Sequence, residues 1–207
     1  MSLILYASAD FLIADKPHGM PTVPLKSRND GNTLLDCVSE QYPQVLAVCG
    51  KNSWEGGALH RLDTATGGLV VFALSQSFYD KVSVLQNEGA FLKTYVAHVT
   101  DNVFFEKKTV KTYFRAYGPH SRIVKCETDS KRADSPVLYE TRMKKLTEDG
   151  VECEIYRGFR HQIRAHLAYI GLPIAGDELY GSAVHGDILQ LECVGVEFDG
   201  FRYRKAR

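Results

Sequence analysis

The stretch Leu59-His60-Arg61-Leu62-Asp63-Thr64-Ala65-Thr66-Gly67-Gly68 is a polar loop that runs directly into an apolar segment, Leu69 to Leu74. A loop at a strand entrance presents its side chains outward. Asp63 lies two residues after Arg61 and ahead of Thr and Gly residues that shape a turn. This pattern suits a carboxylate kept ionised beside a guanidinium and offered to a substrate. An Asx-type turn with a surface ion pair fits the same residues. A second candidate is Gly158-Phe159-Arg160-His161-Gln162-Ile163-Arg164-Ala165-His166. On a helix His161 and Arg164 share one face and Gln162 and His166 another, so one element offers several donors. A plain amphipathic helix with a polar outer face remains the alternative. A metal is not expected, because the two histidines are five apart, on different faces, with no acid between them. The third candidate is the strand Phe91 to Ala97, where alternation puts Lys93 and Tyr95 on one side. A cation and an aromatic ring there could clamp a base, although a strand tyrosine also serves simply as packing.

The elements that must position these groups are mostly strands. Alternating or apolar runs predict strands at Leu3–Tyr6, Phe11–Ala14, Leu69–Leu74, Leu92–Val99, Thr109–Phe114, Val137–Met143, Val151–Ile155 and Ile188–Phe198. Helical spacing predicts helices at Thr33–Gln41, Gln76–Asn87 and His161–Ile170. The last carries an apolar stripe of Ile163, Leu167 and Ile170 and is stopped by Gly171 and Pro173. No linker, repeat or regular strand-helix alternation interrupts the 207 residues. The expectation is one α+β domain on a mixed, mainly antiparallel β-sheet flanked by helices and loops.

With 44% hydrophobic and 24% charged residues, the chain reads as a packed soluble domain, not a disordered or fibrous one. No apolar run approaches the roughly 18 residues of a membrane helix, and residues 1–10 lack a signal-like pattern. No membrane partner is expected, and the expected location is the cytoplasm. The five cysteines, Cys37, Cys49, Cys126, Cys153 and Cys193, are odd in number and widely spaced, which fits free thiols in a reducing compartment. Formal charge is zero, with 25 basic and 25 acidic residues, whereas nucleic-acid binding normally rests on excess cations. The balance is uneven along the chain. Residues 106–132 hold eight basic residues against three acidic, and residues 201–207 hold four basic and none acidic.

Taken together and in this order, the motifs resemble the RluA family of pseudouridine synthases, which isomerise uridine to pseudouridine in ribosomal or transfer RNA. Asp15-Lys16-Pro17-His18-Gly19-Met20-Pro21 looks like the family's opening D-K-P-x-G motif, and His60-Arg61-Leu62-Asp63 matches H-R-L-D. Lys93-Thr94-Tyr95 matches K-x-Y, and His161 to His166 match H-Q-I-R-x-H. Gly171 to Gly181 match G-x-P-I-x-G-D-x-x-Y-G. Gly67 stands where the family usually has Ser, and Gly158-Phe159-Arg160 replaces its usual Gly-Arg.

The resemblance implies that Asp63 is the essential carboxylate, that Tyr95 stacks on the target uracil, and that Arg164 pairs with the aspartate. Arg61 is implied to open the RNA and fill the vacated base position. His60, Lys93, His161, Gln162 and Ile163 join Arg61 as expected substrate-binding residues. No cofactor and no metal are expected. The partner would be ribosomal or transfer RNA with its uridine in a loop, because extruding a stacked base costs a few kcal/mol. A monomer is expected, as a single catalytic domain over residues 1–207 with no S4-like RNA-binding extension. The basic segment Glu106–Arg132 would meet phosphates unless it is a solvated hairpin, in which case Arg202, Arg204, Lys205 and Arg207 or the rim of the cleft take that place. Two other classes use the same residues: an RNA-binding protein on this scaffold with little turnover, and a nucleoside hydrolase that releases free uracil.

Overall fold

The computed structural model describes residues 3–24, 32–118, 122–181 and 188–206. The chain divides into two compact units, Met1–Phe91 with Cys193–Arg207, and Leu92–Glu192. In the first, strands β1 (Ile4–Ala7), β2 (Phe11–Lys16), β3 (Gly67–Ala73) and β9 (Leu191–Phe198) lie side by side in that order, with β10 (Phe201–Arg204) on β9. The β1–β2, β2–β3 and β9–β10 pairings are antiparallel. Every residue of β3 is buried, as its unbroken run Gly-Gly-Leu-Val-Val-Phe-Ala dictates. At Gly68, φ is +108° and a Cβ would lie 2.2 Å from the Cys193 carbonyl oxygen, so only glycine permits this approach. Helices α1 (Leu34–Gln41) and α2 (Gln76–Glu88) belong to this unit. Its core includes stacked pairs Phe11–Phe78 and Phe91–Phe198, with ring centroids 4.9 and 5.1 Å apart.

The second unit runs β4 (Phe91–His98), β8 (Gly150–Ile155), β7 (Tyr139–Lys145), β5 (Lys107–Tyr117) and β6 (Ile123–Glu127), each pairing antiparallel. Helix α3 (Gln162–Tyr169) packs on β6 and β7. Phe114, Val124 and Ala165 form a buried cluster there, and Phe159 stacks on Phe114 at 4.9 Å.

The expected α+β class is what the structure shows, with element ends that differ for local reasons. Thr33 caps α1 instead of entering it: its hydroxyl accepts from the Asp36 N–H while Asp36 accepts from the Thr33 N–H. His161 is likewise the cap of α3, in a left-handed conformation with φ 56°. The run from Ile188 does not pair as strand until Leu191, because the Leu191 N–H turns back to Leu189 O at 2.8 Å. Strands β6 and β10 were not expected; Ile-Val-Lys-Cys-Glu and Phe-Arg-Tyr-Arg each carry two charged residues in a short run and become strands through their pairing with β5 and β9. All five cysteines are free thiols. Among the described residues no helix is long and apolar enough to cross a membrane.

His166 on α3 is fully buried between two threonines, Nδ1 lying 2.7 Å from Thr141 Oγ1 and Nε2 2.9 Å from Thr112 Oγ1. Burial pushes its pKa down to about 4 from 6.5. Below pH 6.5 the unfolded chain takes up a proton that the native state refuses, so stability falls with pH until about pH 4. Urea titrations of the wild type and His166→Gln across this window are expected to differ by about 3 kcal/mol in total pH-dependent loss, the wild type losing more.

Candidate active site

The register of β2 on β3 places Lys16 opposite Gly68. The residues that follow β2 and those that precede β3 are therefore neighbours. The turn bearing Asp63 is held almost entirely through this adjacency. Thr22, itself buried, donates its hydroxyl to Leu62 O at 2.9 Å and accepts from the Leu62 N–H at 3.1 Å. The Thr66 N–H closes the turn on Asp63 O at 2.9 Å. Thr64 O accepts from the Gly19 N–H at 2.8 Å and from Lys16 Nζ at 3.1 Å. Ala65 O accepts from His18 Nδ1 at 2.8 Å. Each carbonyl from Leu62 to Ala65 thus has a donor, and three of the four are served by the segment 16–22. The Asp63 side chain itself is half-buried.

Lys16 is almost fully enclosed, and its ammonium also donates to Pro17 O at 2.9 Å and Met20 O at 2.6 Å. Burial lowers its pKa to about 8, while the Asp63 carboxylate pulls it back up. Arg61 extends from the same loop with a 56% exposed side chain, and its Nη1 is 2.7 Å from Oε1 of the buried Glu55. His60 turns inward: Nε2 accepts from the Val71 N–H, and the ring lies 5.5 Å from that of Phe91.

In the second unit, Lys93 and Tyr95 are both buried on β4, 4% and 6% exposed, as the alternation required of residues sharing a face. Lys93 Nζ donates to Tyr156 O at 3.3 Å. Arg164 is buried on α3, and its Nε and Nη2 each lie 2.7 Å from an oxygen of Asp177, a two-point grip on a fully enclosed carboxylate. Its guanidinium lies 5.2 Å from the Tyr180 ring, and the Tyr180 hydroxyl is 3.2 Å from His161 Nδ1. Gln162 is 2% exposed; its amide donates to Glu140 O and Thr141 Oγ1 and accepts from the Phe159 N–H. Ile163 is packed in the core. The side chains of Gln162 and Ile163 thus hold the start of α3 against its own sheet.

Sequence reasoning gave no individual role to Lys16, His18, Thr22, Glu55, Asp177 or Tyr180. Four of them lie within quoted motifs, where polar residues at fixed offsets were the signal. Thr22, one residue beyond the first motif, and Glu55 carried none.

The basic segment forms the β5–β6 hairpin and the turn after it. Lys111 pairs with Glu140 at 2.7 Å, and Arg115 with Glu127 at 3.0 Å. Lys125 Nζ lies 3.4 Å from the centre of the exposed Tyr117 ring. A groove lined by Lys107, Lys108, Arg142 and Lys144 also contains Glu152 and Glu154. Of these acids, Glu127 belongs to the segment itself, while Glu140, Glu152 and Glu154 lie outside it. Near the other end, Arg202 pairs with Glu197 at 2.6 Å and Lys205 with Asp15 at 2.9 Å; Arg207 lies outside the described residues. Among the described residues no cluster of three or more His, Cys, Asp or Glu side chains could hold a metal ion.

The α+β fold agrees with the comparisons to known proteins. The profile described as RNA pseudouridylate synthase matches residues 10–169, and the chain belongs to this family, within its RluA branch. It is 29% identical over 184 residues to the ribosomal large subunit pseudouridine synthase D of Buchnera aphidicola subsp. Schizaphis graminum, covering 88% of this chain and 55% of that protein. Against the dual-specificity RNA pseudouridine synthase RluA of Vibrio parahaemolyticus it is 28% identical over 188 residues, covering 86% and 69%. The solved human RNA Pseudouridylate Synthase Domain Containing 1 shares the fold, with a TM-score of 0.75 at 20% identity, covering all of this chain and 83% of that one. The chain spans little more than half the length of the first two curated relatives it matches.

The bracing makes Lys16 a sensitive reporter. Between pH 8 and 10.5 the unfolded chain holds a proton that native Lys16 has lost, so stability rises with pH across this window. Urea titrations are expected to show the wild type gaining about 3 kcal/mol over the interval relative to Lys16→Met, which has no such proton to lose.

Proposed function

We propose that this chain isomerises uridine to pseudouridine in structured ribosomal or transfer RNA, in the cytoplasm and as a monomer. The observation that carries the reading is the turn of Asp63, whose backbone is fixed carbonyl by carbonyl in a chain of this family. Such bracing fits a carboxylate that must meet a reacting carbon in one orientation.

The reaction breaks the bond between uracil N1 and ribose C1′, turns the base, and joins C5 to C1′ with loss of the C5 proton and return of one to N1. C1′ gains positive charge as the base departs. The Asp63 carboxylate answers that charge in one of two ways, by attacking C1′ or by taking the C2′ proton to give a glycal. Tyr95 stacks on the uracil and keeps it from leaving, and that retention separates an isomerase from a hydrolase. Arg164, held by two hydrogen bonds to the buried Asp177, brings an oriented cation to the reaction. Arg61, on the exposed end of its loop, enters the position the base vacates, with Glu55 as its partner in the absence of RNA. Lys93, His161, Gln162 and Ile163 shape the wall behind the base. Cations of residues 107–132 contact phosphates on either side.

Asp63→Asn keeps the shape and removes the charge. It is expected to fold and to bind RNA within a few-fold of wild type, while its rate of pseudouridine formation drops about 100-fold or more. Retention of more than about one per cent of the wild-type rate would remove Asp63 from the mechanism. The fate of the base separates the alternatives: free uracil marks a hydrolase, and untouched uridine a binding protein. For Tyr95, replacement by Ala is expected to abolish turnover. Tyr95→Phe then divides the ring from the hydroxyl: full activity assigns the role to stacking alone, and lost activity with RNA affinity retained assigns it to the hydroxyl.

A further inference from the structure

His18 is exposed, yet its ring is held at both edges. Nδ1 lies 2.8 Å from Ala65 O, and a carbonyl only accepts, so Nδ1 carries the proton and donates. The other edge lies over Gly67, where a Cβ would fall 2.5 Å from Nε2 and 2.6 Å from Cδ2. All three of the nearest atoms to that Cβ position belong to His18. Gly67 is not among the residues with positive φ. Its backbone therefore suits any residue, and a side chain at this position would have to displace the His18 ring.

Ala65 O and the Thr66 N–H are the two polar groups of one planar peptide unit, which turns only as a rigid body. His18 holds the oxygen, and the hydrogen bonds Asp63's own carbonyl. Releasing the oxygen frees the plane to rotate and withdraws the N–H from Asp63. We infer that His18, seated on Gly67, is a positioning residue that fixes the Ala65–Thr66 peptide and through it the aim of the Asp63 carboxylate; its part in turnover rests on the isomerase reading above.

The experiment uses the full chain with His18→Ala, His18→Asn, His18→Gln, Gly67→Ala and the His18→Ala/Gly67→Ala double variant. Asparagine places its amide nitrogen as many bonds from Cα as Nδ1 of histidine, and glutamine places it one bond further. Two quantities are measured: hydrogen exchange of the Thr66 amide by NMR, and single-turnover pseudouridine formation alongside the RNA dissociation constant. His18→Ala, His18→Gln and Gly67→Ala are each expected to speed Thr66 exchange and slow turnover about tenfold, with RNA affinity within about threefold of wild type. His18→Asn restores both. The double variant should match either single one, because the added methyl acts only by displacing a ring that is no longer there.

Unchanged Thr66 exchange and turnover in His18→Ala overturns the inference. So does a Gly67→Ala effect that persists at full size in the His18→Ala background. If the wild type forms no pseudouridine, the functional reading fails, and Thr66 exchange across the five variants decides the positioning role by itself.

Discussion

A carboxylate on a loop can serve a reaction only if the loop has one conformation, and in this chain the carbonyls of residues 62–65 meet that requirement. Each net hydrogen bond is worth only about 1 kcal/mol. Their importance lies in number and direction, because a turn of four residues has few dihedral angles to spare once its carbonyls are spoken for. The donors differ in kind: a buried hydroxyl, a buried ammonium, a backbone amide and an imidazole. Their common origin is the antiparallel register of β2 on β3, which delivers residues 17–22 alongside residues 62–66. The opening D-K-P-H-G motif and the H-R-L-D motif are therefore one structural object, although forty residues separate them.

The second unit solves the equivalent problem differently. Arg164 is buried, and its orientation comes from two parallel hydrogen bonds to Asp177, not from a strand edge. Burying such a pair removes two charges from water at a cost that its attraction roughly offsets, so its yield is geometry more than stability. Tyr180 completes the arrangement by touching both His161 and Arg164. His166, one turn along α3 from Gln162, bridges two strands as a neutral ring. The charged and neutral members of the H-Q-I-R-x-H motif thus do different work: Arg164 is gripped by a carboxylate, while Gln162 and His166 fasten the helix to its sheet.

Much of this was legible in the sequence, and the exceptions have physical causes. Apolar runs such as Leu69–Leu74 and alternation such as Phe91–Ala97 mark strands because burial imposes the pattern directly. Strand β10, with arginine at two of four positions, is a strand by virtue of pairing with β9, which local composition does not encode. Asp63 and Arg164 stood out by residue type and motif. Their supports did not, because a partner such as Glu55 or Thr22 is defined by where the backbone brings it. For the basic segment, charge along the chain leaves out where neighbouring strands bring their acids: Lys111 meets Glu140, which lies outside the segment.

The order of the units along the chain has a consequence for synthesis. The unit bearing Asp63 is assembled from both ends, residues 1–91 and 193–207, while the other is one uninterrupted stretch of 101 residues between them. A ribosome working from the N-terminus completes the interrupting unit before it has made β9 and β10, and that unit can condense while the first still lacks a flank. Until those strands emerge, β3 has β2 on one side and an open edge on the other, where the backbone groups of an apolar strand lack their partner. A wholly buried strand thus waits for its neighbour until the entire second unit has been made, and through that interval the nascent chain is exposed to misassociation at this edge.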